Sequence, residues 1–141
     1  MVMKKHKKRI FGFLCSFLLL ASGVLYFGLN YVPKSLYNMQ EMKSGEVESY
    51  YVNQWCTPSF GQKEFRLWDT TRVDCLTKEY AIEFDFAKKW AESVGQSLYY
   101  AKMTGKKPAI VLILTDLTDT KYVKRIERLD KDIQIFLIKA F

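Results

Sequence analysis

The longest feature of the hydrophobic pattern is the uncharged run Ile10–Leu29, which directly follows a cluster of basic residues. A helix rises about 1.5 Å per residue, so this run is long enough to cross a hydrocarbon core of roughly 30 Å. Basic residues in front of such a run favour retention of that end in the cytoplasm. The pattern predicts an N-terminal membrane helix, a single-pass signal anchor that places the C-terminal domain outside the cytoplasm, in the periplasm or the extracellular space.

A cleaved signal peptide is the alternative interpretation of residues 1–29, and it predicts secretion. Ala21-Ser22-Gly23 offers a small-residue cleavage site, although apolar residues continue to Leu29. A buried helix of a soluble protein is a third interpretation.

Beyond this run the pattern changes to short segments typical of strands and helices. Residues 30–45 are mixed, contain Pro33 and Gly45, and are interpreted as a juxtamembrane connector. Residues 46–141 are predicted to form one domain with the order α-β-β-β-α-β-α-β, which favours an α/β (α+β) fold with a mixed sheet flanked by helices. The predicted segments are 46–55, 64–68, 72–76, 80–86, 88–103, 109–114, a helix through Val123 and Leu129, and 133–138.

Composition and charge narrow the class of protein. Hydrophobic residues make up 49% of the chain, which excludes a disordered chain. The formal net charge is +7, but five basic residues lie in the first nine positions, and the remaining 17 basic and 15 acidic residues leave only +2. The only histidine, His6, lies in this leader, so no imidazole base is left for a serine or cysteine hydrolase. Neither a P-loop nor a dinucleotide fingerprint is present, so no nucleotide cofactor is predicted.

Cys56 and Cys75 form an even pair in a small domain that is predicted to be exported. Such pairs usually oxidise outside the cytosol, so a disulfide is expected. Two buried reduced cysteines are the alternative. With one histidine and three cysteines, the composition argues against a four-ligand structural zinc site.

Two acidic residues are predicted to face each other on neighbouring strands. If Thr77–Tyr80 forms a tight connection, antiparallel pairing sets Cys75 opposite Ile82 and Asp74 opposite Glu83. Residues in such positions have Cβ atoms about 4.5–5.5 Å apart on one face of a sheet. Two carboxylates so close need a cation or a proton between them, and a divalent ion such as Mg²⁺ suits them. The alternative is a pair of solvated strand residues that interact with Arg72 or Lys78.

The helix predicted next carries a polar stripe that begins close to this acidic pair. The stripe contains Lys89, Glu92, Gln96 and Tyr99/Tyr100. An apolar stripe that would seat the helix on the sheet contains Trp90/Ala91, Val94, Leu98 and Ala101. Lys89 could supply a positive charge to a phosphate, or it could simply form a surface pair with Glu92.

Three patterns of this domain resemble those of the PD-(D/E)XK nuclease superfamily. They are a lone aspartate in Arg72-Val73-Asp74, an acid in Ile82-Glu83-Phe84, and a helix with Gln96 and Tyr100. Longer strings within residues 46–115, namely 55–56, 72–77 and 81–100, are similar to a group of small exported bacterial and phage-borne domains. The resemblance implies a restriction-endonuclease-like sheet and Mg²⁺- or Mn²⁺-dependent cleavage of DNA or RNA. The implied catalytic residues are Asp74, Glu83, Lys89 and Gln96, of which Asp74 and Glu83 would be the metal ligands.

The sequence departs from the superfamily pattern at Asp85, which stands two residues after Glu83 where a lysine is expected. In this superfamily the lysine can migrate onto the neighbouring helix, where Lys89 or Lys88 would supply it. Asp85 would then oppose Arg72 on the neighbouring strand. The further supporting candidates are Glu64, Asp85 and Tyr100.

Three functions of different classes follow from these patterns. The first is a membrane-anchored or exported metal-dependent nuclease or phosphodiesterase. The second is a catalytically inactive domain of the same fold that acts as an envelope binding module, which the missing strand lysine favours. The third is a purely structural membrane-tethered module, for which the sequence offers no positive sign.

Overall fold

The computed structural model describes residues 39–141, which form a mixed α/β fold of six strands and three helices. The helices are α1 (Glu48–Trp55), α2 (Trp90–Thr104) and α3 (Thr120–Leu129). The strands are β1 (Met39–Glu41), β2 (Gly61–Arg66), β3 (Arg72–Thr77), β4 (Tyr80–Phe86), β5 (Lys107–Leu114) and β6 (Gln134–Lys139). The predicted membrane segment Ile10–Leu29 lies outside the described residues. Within them, no helix is long and apolar enough to cross a bilayer.

The order of elements predicted for residues 46–141 is confirmed, although segment boundaries differ by a few residues. The strand predicted over 64–68 is β2, which begins earlier, at Gly61. The predicted helix over 88–103 begins with a 3-10 turn, Ala87–Lys89, before α2. The region interpreted as a connector contributes β1, which pairs in parallel with β6.

The sheet has different strand directions on the two sides of β4. Its strand order is β1-β6-β5-β4-β3-β2. β4, β5 and β6 are parallel neighbours, and α2 and α3 form the crossover connections that parallel pairing requires. β2, β3 and β4 are antiparallel neighbours. β4 is therefore the junction between an antiparallel hairpin pair and a parallel block.

Apolar clusters cover both faces of the sheet. Ala109–Leu114 is buried throughout, as expected of a strand that is covered on both faces. One cluster joins α1 to one face through Tyr51, Val52, Ile82, Phe84, Val111 and Ile113. The other joins α2 and α3 to the opposite face through Val94, Ile110, Leu112, Leu114, Val123 and Ile126.

The apolar stripe predicted for α2 is partly wrong. Leu98 is 40% exposed, whereas Ser93 and Ser97 are fully buried. The Ser97 hydroxyl donates to the carbonyl of Val94 at 3.0 Å, so the helix itself satisfies this buried polar group. Small side chains on the buried face let the helix approach the sheet closely, and this requirement places the serines inside rather than the leucine. The helix ends at Gly105, whose φ of 67° is the left-handed conformation that glycine adopts at low cost.

The predicted disulfide between Cys56 and Cys75 is present, with a Cα–Cα distance of 5.9 Å. It ties the residue after α1 to the middle of β3, and both cysteines are fully buried. Gly61 lies beside it, because a Cβ atom at this position would come within 2.9 Å of the Cys75 sulfur. The absence of a side chain at Gly61 therefore leaves room for the cross-link.

We expect a Cys56→Ser/Cys75→Ser variant to unfold with a free energy lower by about 3 kcal/mol, because the disulfide closes a loop with a sequence separation of 19. Urea denaturation followed by circular dichroism measures the difference. Reductant should destabilise the wild-type protein by a similar amount and leave the double variant unchanged. A wild-type protein whose unfolding midpoint ignores reductant would contradict this prediction.

Candidate functional site

The site lies where β3 and β4 separate. The predicted register is confirmed for Cys75 opposite Ile82 and for the next pair along the hairpin. The Thr77 hydroxyl closes the turn by accepting the N–H of Tyr80 at 2.8 Å. Beyond Cys75, the Asp74 carboxylate accepts the N–H of Phe84 at 2.8 Å. The Asp74 side chain thus accepts the hydrogen bond that a backbone carbonyl of β3 would otherwise accept, and β3 and β4 diverge at this point.

Glu83 and Asp85 are buried on β4, with 6% and 3% of their surfaces exposed. Ala81 alternates with them on this strand and packs with Tyr100 of α2, so the two acids face this helix. The Oε2 atom of Glu83 is buried and has no hydrogen-bond partner. The alternative in which both strand acids are solvated is therefore wrong for Glu83, and a buried acceptor without a partner is costly.

The two acids predicted to face each other both have raised pKa values. Burial, reinforced by the charges of Asp74 and Asp85, raises the pKa of Glu83 to about 9. Burial also raises the pKa of Asp74 to about 6, although the Phe84 N–H opposes this rise. The paired register ends at Cys75 opposite Ile82, so the direct opposition of Asp74 and Glu83 stays a prediction, although the charge of Asp74 raises the pKa of Glu83.

A second acidic group, which the sequence pattern did not reveal, lies at the end of β4. Glu48 comes from the first turn of α1, and burial followed by the Asp85 carboxylate raises its pKa to about 7. Ser93 of α2 also lies here, with its hydroxyl 3.4 Å from Asp85 Oδ2. In the sequence, Glu48 is recognisable only as an acidic residue in the first turn of a helix. That position does not predict which strand the helix will contact.

Lys89 lies at this second group. Its Nζ atom is 3.3 Å from Asp85 Oδ1 and 3.9 Å from Glu48 Oε2, and its side chain is 55% exposed. The carboxylate of Asp85, followed by that of Glu48, raises the pKa of Lys89. Lys89 therefore contacts the acidic region at Asp85. Asp85 is the residue that stands where the superfamily pattern expects a lysine.

The predicted opposition of Asp85 and Arg72 is not what the structure shows. Arg72 instead pairs with Glu64 of β2 at 2.9 Å, while Asp85 pairs with Lys89. The reason is that β3 and β4 no longer run side by side at Arg72, so the register cannot be extended to it. Glu64 has a φ of 51°, uncommon for a residue with a side chain, and its charge contributes to the raised pKa of Asp74.

The remaining candidates come from α2. Tyr100 is buried beside the strand acids, and burial together with Glu83 and Asp74 raises its pKa to about 12. It therefore stays a hydrogen-bond donor at neutral pH. Gln96 is half-buried and hydrogen bonds with Tyr100. The helix thus brings a phenol and an amide to the acidic pair.

The donor set is compatible with a hard divalent cation. In residues 39–141, no group of three or more histidine, cysteine or acidic residues is arranged to hold a metal ion. Mg²⁺ needs only one or two carboxylates, since it keeps several waters and binds phosphate oxygens. Asp74 and the partnerless oxygen of Glu83 meet that requirement.

Comparisons with family models, with curated proteins and with solved structures find no match to this chain.

We expect the free energy of unfolding of the metal-free protein to fall between pH 5 and pH 9. The folded protein holds the Glu83 proton up to a pKa of about 9, whereas the ordinary pKa of a glutamate side chain is 4.5, so the folded state binds more protons over this interval. Glu83→Gln keeps the shape but removes this titration. It should flatten the decline and stabilise the protein at pH 9 by about 1–3 kcal/mol.

Urea denaturation in the presence of EDTA at pH 5, 7 and 9 measures this effect. Glu79→Gln is the matched control, because the exposed Glu79 pairs with Lys107 at 2.7 Å and its pKa is lowered instead. A Glu83→Gln protein with the pH slope of the wild type would rule out the buried carboxyl as its source.

Proposed function

We propose that this protein is a metal-dependent phosphodiesterase, most simply a nuclease that acts on DNA or RNA. The observation that carries the proposal is the buried Glu83 oxygen without a hydrogen-bond partner beside Asp74, at the divergence of two strands. Asp74 and Glu83 would hold Mg²⁺ or Mn²⁺. A bound ion of this kind polarises a phosphate and lowers the pKa of a water molecule.

The roles of the other residues follow from their positions. The Phe84 N–H orients the Asp74 carboxylate, and Glu83 would lose its proton if a cation bound beside it. Tyr100 and Gln96 offer donors to phosphate or sugar oxygens. Lys89 supplies positive charge at the outer side of the site, where Asp85 and Glu48 hold it.

The element order supports a restriction-endonuclease-like fold, as the resemblance to the PD-(D/E)XK superfamily implies. The lone acid on β3, the acid on the middle of β4, and the glutamine and tyrosine on α2 occupy the elements on which that pattern is expected. Asp85 still departs from the superfamily pattern, which expects a lysine at this position. Lys89, in the turn that precedes α2, forms an ion pair with Asp85.

We also propose that the domain works outside the cytoplasm, attached to the membrane by the segment Ile10–Leu29 or secreted after its cleavage. The disulfide between Cys56 and Cys75 supports this placement, because such bonds persist in oxidising compartments. The basic cluster before Ile10 supports the orientation.

One observation favours a second candidate, an inactive domain that binds a partner in the envelope. The Lys89 ammonium is already neutralised by Asp85 and Glu48. If these contacts persist when a phosphate binds, no cation is left to stabilise the charge that develops on it.

We expect the oxidised full-length protein to cleave plasmid DNA, single-stranded DNA or RNA in the presence of Mg²⁺ or Mn²⁺. Asp74→Asn and Glu83→Gln should each reduce the rate by at least about 100-fold, since each removes a metal ligand. Gel electrophoresis of labelled substrates measures the rates, with Glu79→Gln as a control that keeps full activity. Cleavage by the site variants at the wild-type rate would sink the proposal. Inactivity of the wild type with either metal would favour the binding module.

Cation binding should release protons and tighten as the pH rises from 6 to 9. Glu83 has a pKa of about 9 and Asp74 of about 6, so a cation competes with their protons over this interval. Isothermal titration calorimetry with Mn²⁺ in two buffers of different ionisation enthalpy counts the released protons. Glu83→Gln should bind more weakly and release fewer protons, and a proton count of zero for the wild type would contradict the metal site.

A further inference from the structure

The tip of the hairpin between β2 and β3 exposes a large aromatic side chain. Trp68 is 82% exposed, whereas its neighbour Leu67 is buried against the cluster that contains Tyr100. Exposure of a whole indole ring keeps a large apolar surface in water. The Trp68 side chain therefore has no packing role within residues 39–141.

Hydrogen bonds connect the residues of this tip to one another and to α2. The N–H of Leu67 donates to the carbonyl of Thr71 at 2.9 Å, and the N–H of Thr70 donates to the carbonyl of Leu67 at 3.1 Å. Asp69 accepts hydrogen bonds from the N–H and the hydroxyl of Thr71, at 3.1 Å and 2.7 Å. The hydroxyl of Tyr99 also donates to Asp69, which ties the tip to α2. Trp68 therefore lies in a turn that these hydrogen bonds stabilise.

Two arginines stand opposite each other at the base of the tip. Arg66 and Arg72 are register partners on β2 and β3, so their side chains leave the same face. Like charges in this arrangement repel each other unless an anion lies between them. Arg72 pairs with Glu64, whereas Arg66 has no ion pair within residues 39–141. Arg66 is therefore the arginine of this pair that is available to a phosphate, whereas Arg72 already has the Glu64 carboxylate as its partner.

The tip lies within electrostatic range of the acidic pair. Arg72 lowers the pKa of Asp74, in opposition to the rise caused by burial. On the side of α2, the charges of Glu83, Asp74 and Asp69 all act on the Tyr100 hydroxyl. Contacts of the tip agree with this, since Leu67 packs in one cluster with Ala81 of β4 and Tyr100 of α2.

We propose that the hairpin tip binds an unpaired nucleic-acid strand, with a base stacked on Trp68 and a backbone phosphate at Arg66. This inference rests on the proposed function and names its substrate class. Only an unpaired strand offers a base face to the indole, because the base faces of a duplex are stacked on one another. The polar neighbours Asp69, Thr70 and Thr71 argue against insertion of the tip into a membrane.

The test is fluorescence anisotropy of a labelled 15-nucleotide thymidine strand with the full-length protein in detergent and EDTA, where cleavage is absent. Trp68→Ala should weaken binding about 5- to 100-fold, and Trp68→Phe should retain most of the affinity. Arg66→Ala should weaken binding and reduce its dependence on salt. Leu129→Ala is the matched control, since Leu129 is 63% exposed on α3, and it should bind like the wild type.

Three results would overturn the inference. One is wild-type affinity for the single strand in Trp68→Ala. Another is an equal loss of affinity for single strand and duplex in that variant. The third is a blue shift of tryptophan emission on adding phosphatidylglycerol vesicles that disappears in Trp68→Phe, which would assign the tip to a lipid surface.

The same variants separate this inference from the nuclease proposal. If the protein binds the single strand through Trp68 but cleaves no substrate, the strand-binding inference is supported and the nuclease proposal is contradicted. Cleavage of a single strand that needs Asp74 but proceeds at an unchanged rate and KM in Trp68→Ala would support the nuclease and defeat the tip.

Discussion

The burial of Glu83 beside Asp74 is the constraint on which the rest of the site depends. A carboxyl group taken out of water without a hydrogen-bond partner costs free energy, and a nearby carboxylate adds to that cost. This arrangement forms where β3 and β4 separate at Asp74, whose carboxylate accepts a hydrogen bond from the backbone of β4. A stable structure that retains such a pair has a reason to do so, and a cation that would relieve both costs is the simplest one.

The acidic residues divide into two groups with different charge balance. At the end of β4, Asp85 and Glu48 share the single ammonium of Lys89, and burial still raises the pKa of both carboxyl groups. Among the described residues, Asp74 and Glu83 have no cation of their own at hydrogen-bond distance. The deeper pair is thus the stronger attractor of positive charge, while the outer group positions the one lysine that borders it.

Local patterns predicted much of this arrangement, and long-range packing decided the rest. The alternation around Cys75 and Ile82 and the turn after Thr77 were enough to set the register of the hairpin. The divergence at Asp74 could not be predicted in this way, because periodicity does not reveal where a backbone ladder stops. Glu48 was missed because its helix meets β4 through a contact between distant parts of the chain. Leu98 was wrongly predicted to face the sheet, because the prediction chose the buried face of α2 by hydrophobicity and not by side-chain size.

The cross-link between Cys56 and Cys75 has a consequence for where the chemistry can begin. Cys75 directly precedes Leu76 and follows Asp74, so the covalent bond anchors the same stretch of backbone that presents the carboxylate. In a reducing compartment this anchor would be missing, and a newly made chain would hold its acids less firmly. If the proposed export is correct, oxidation of this pair would complete the site only after the protein had left the cytoplasm.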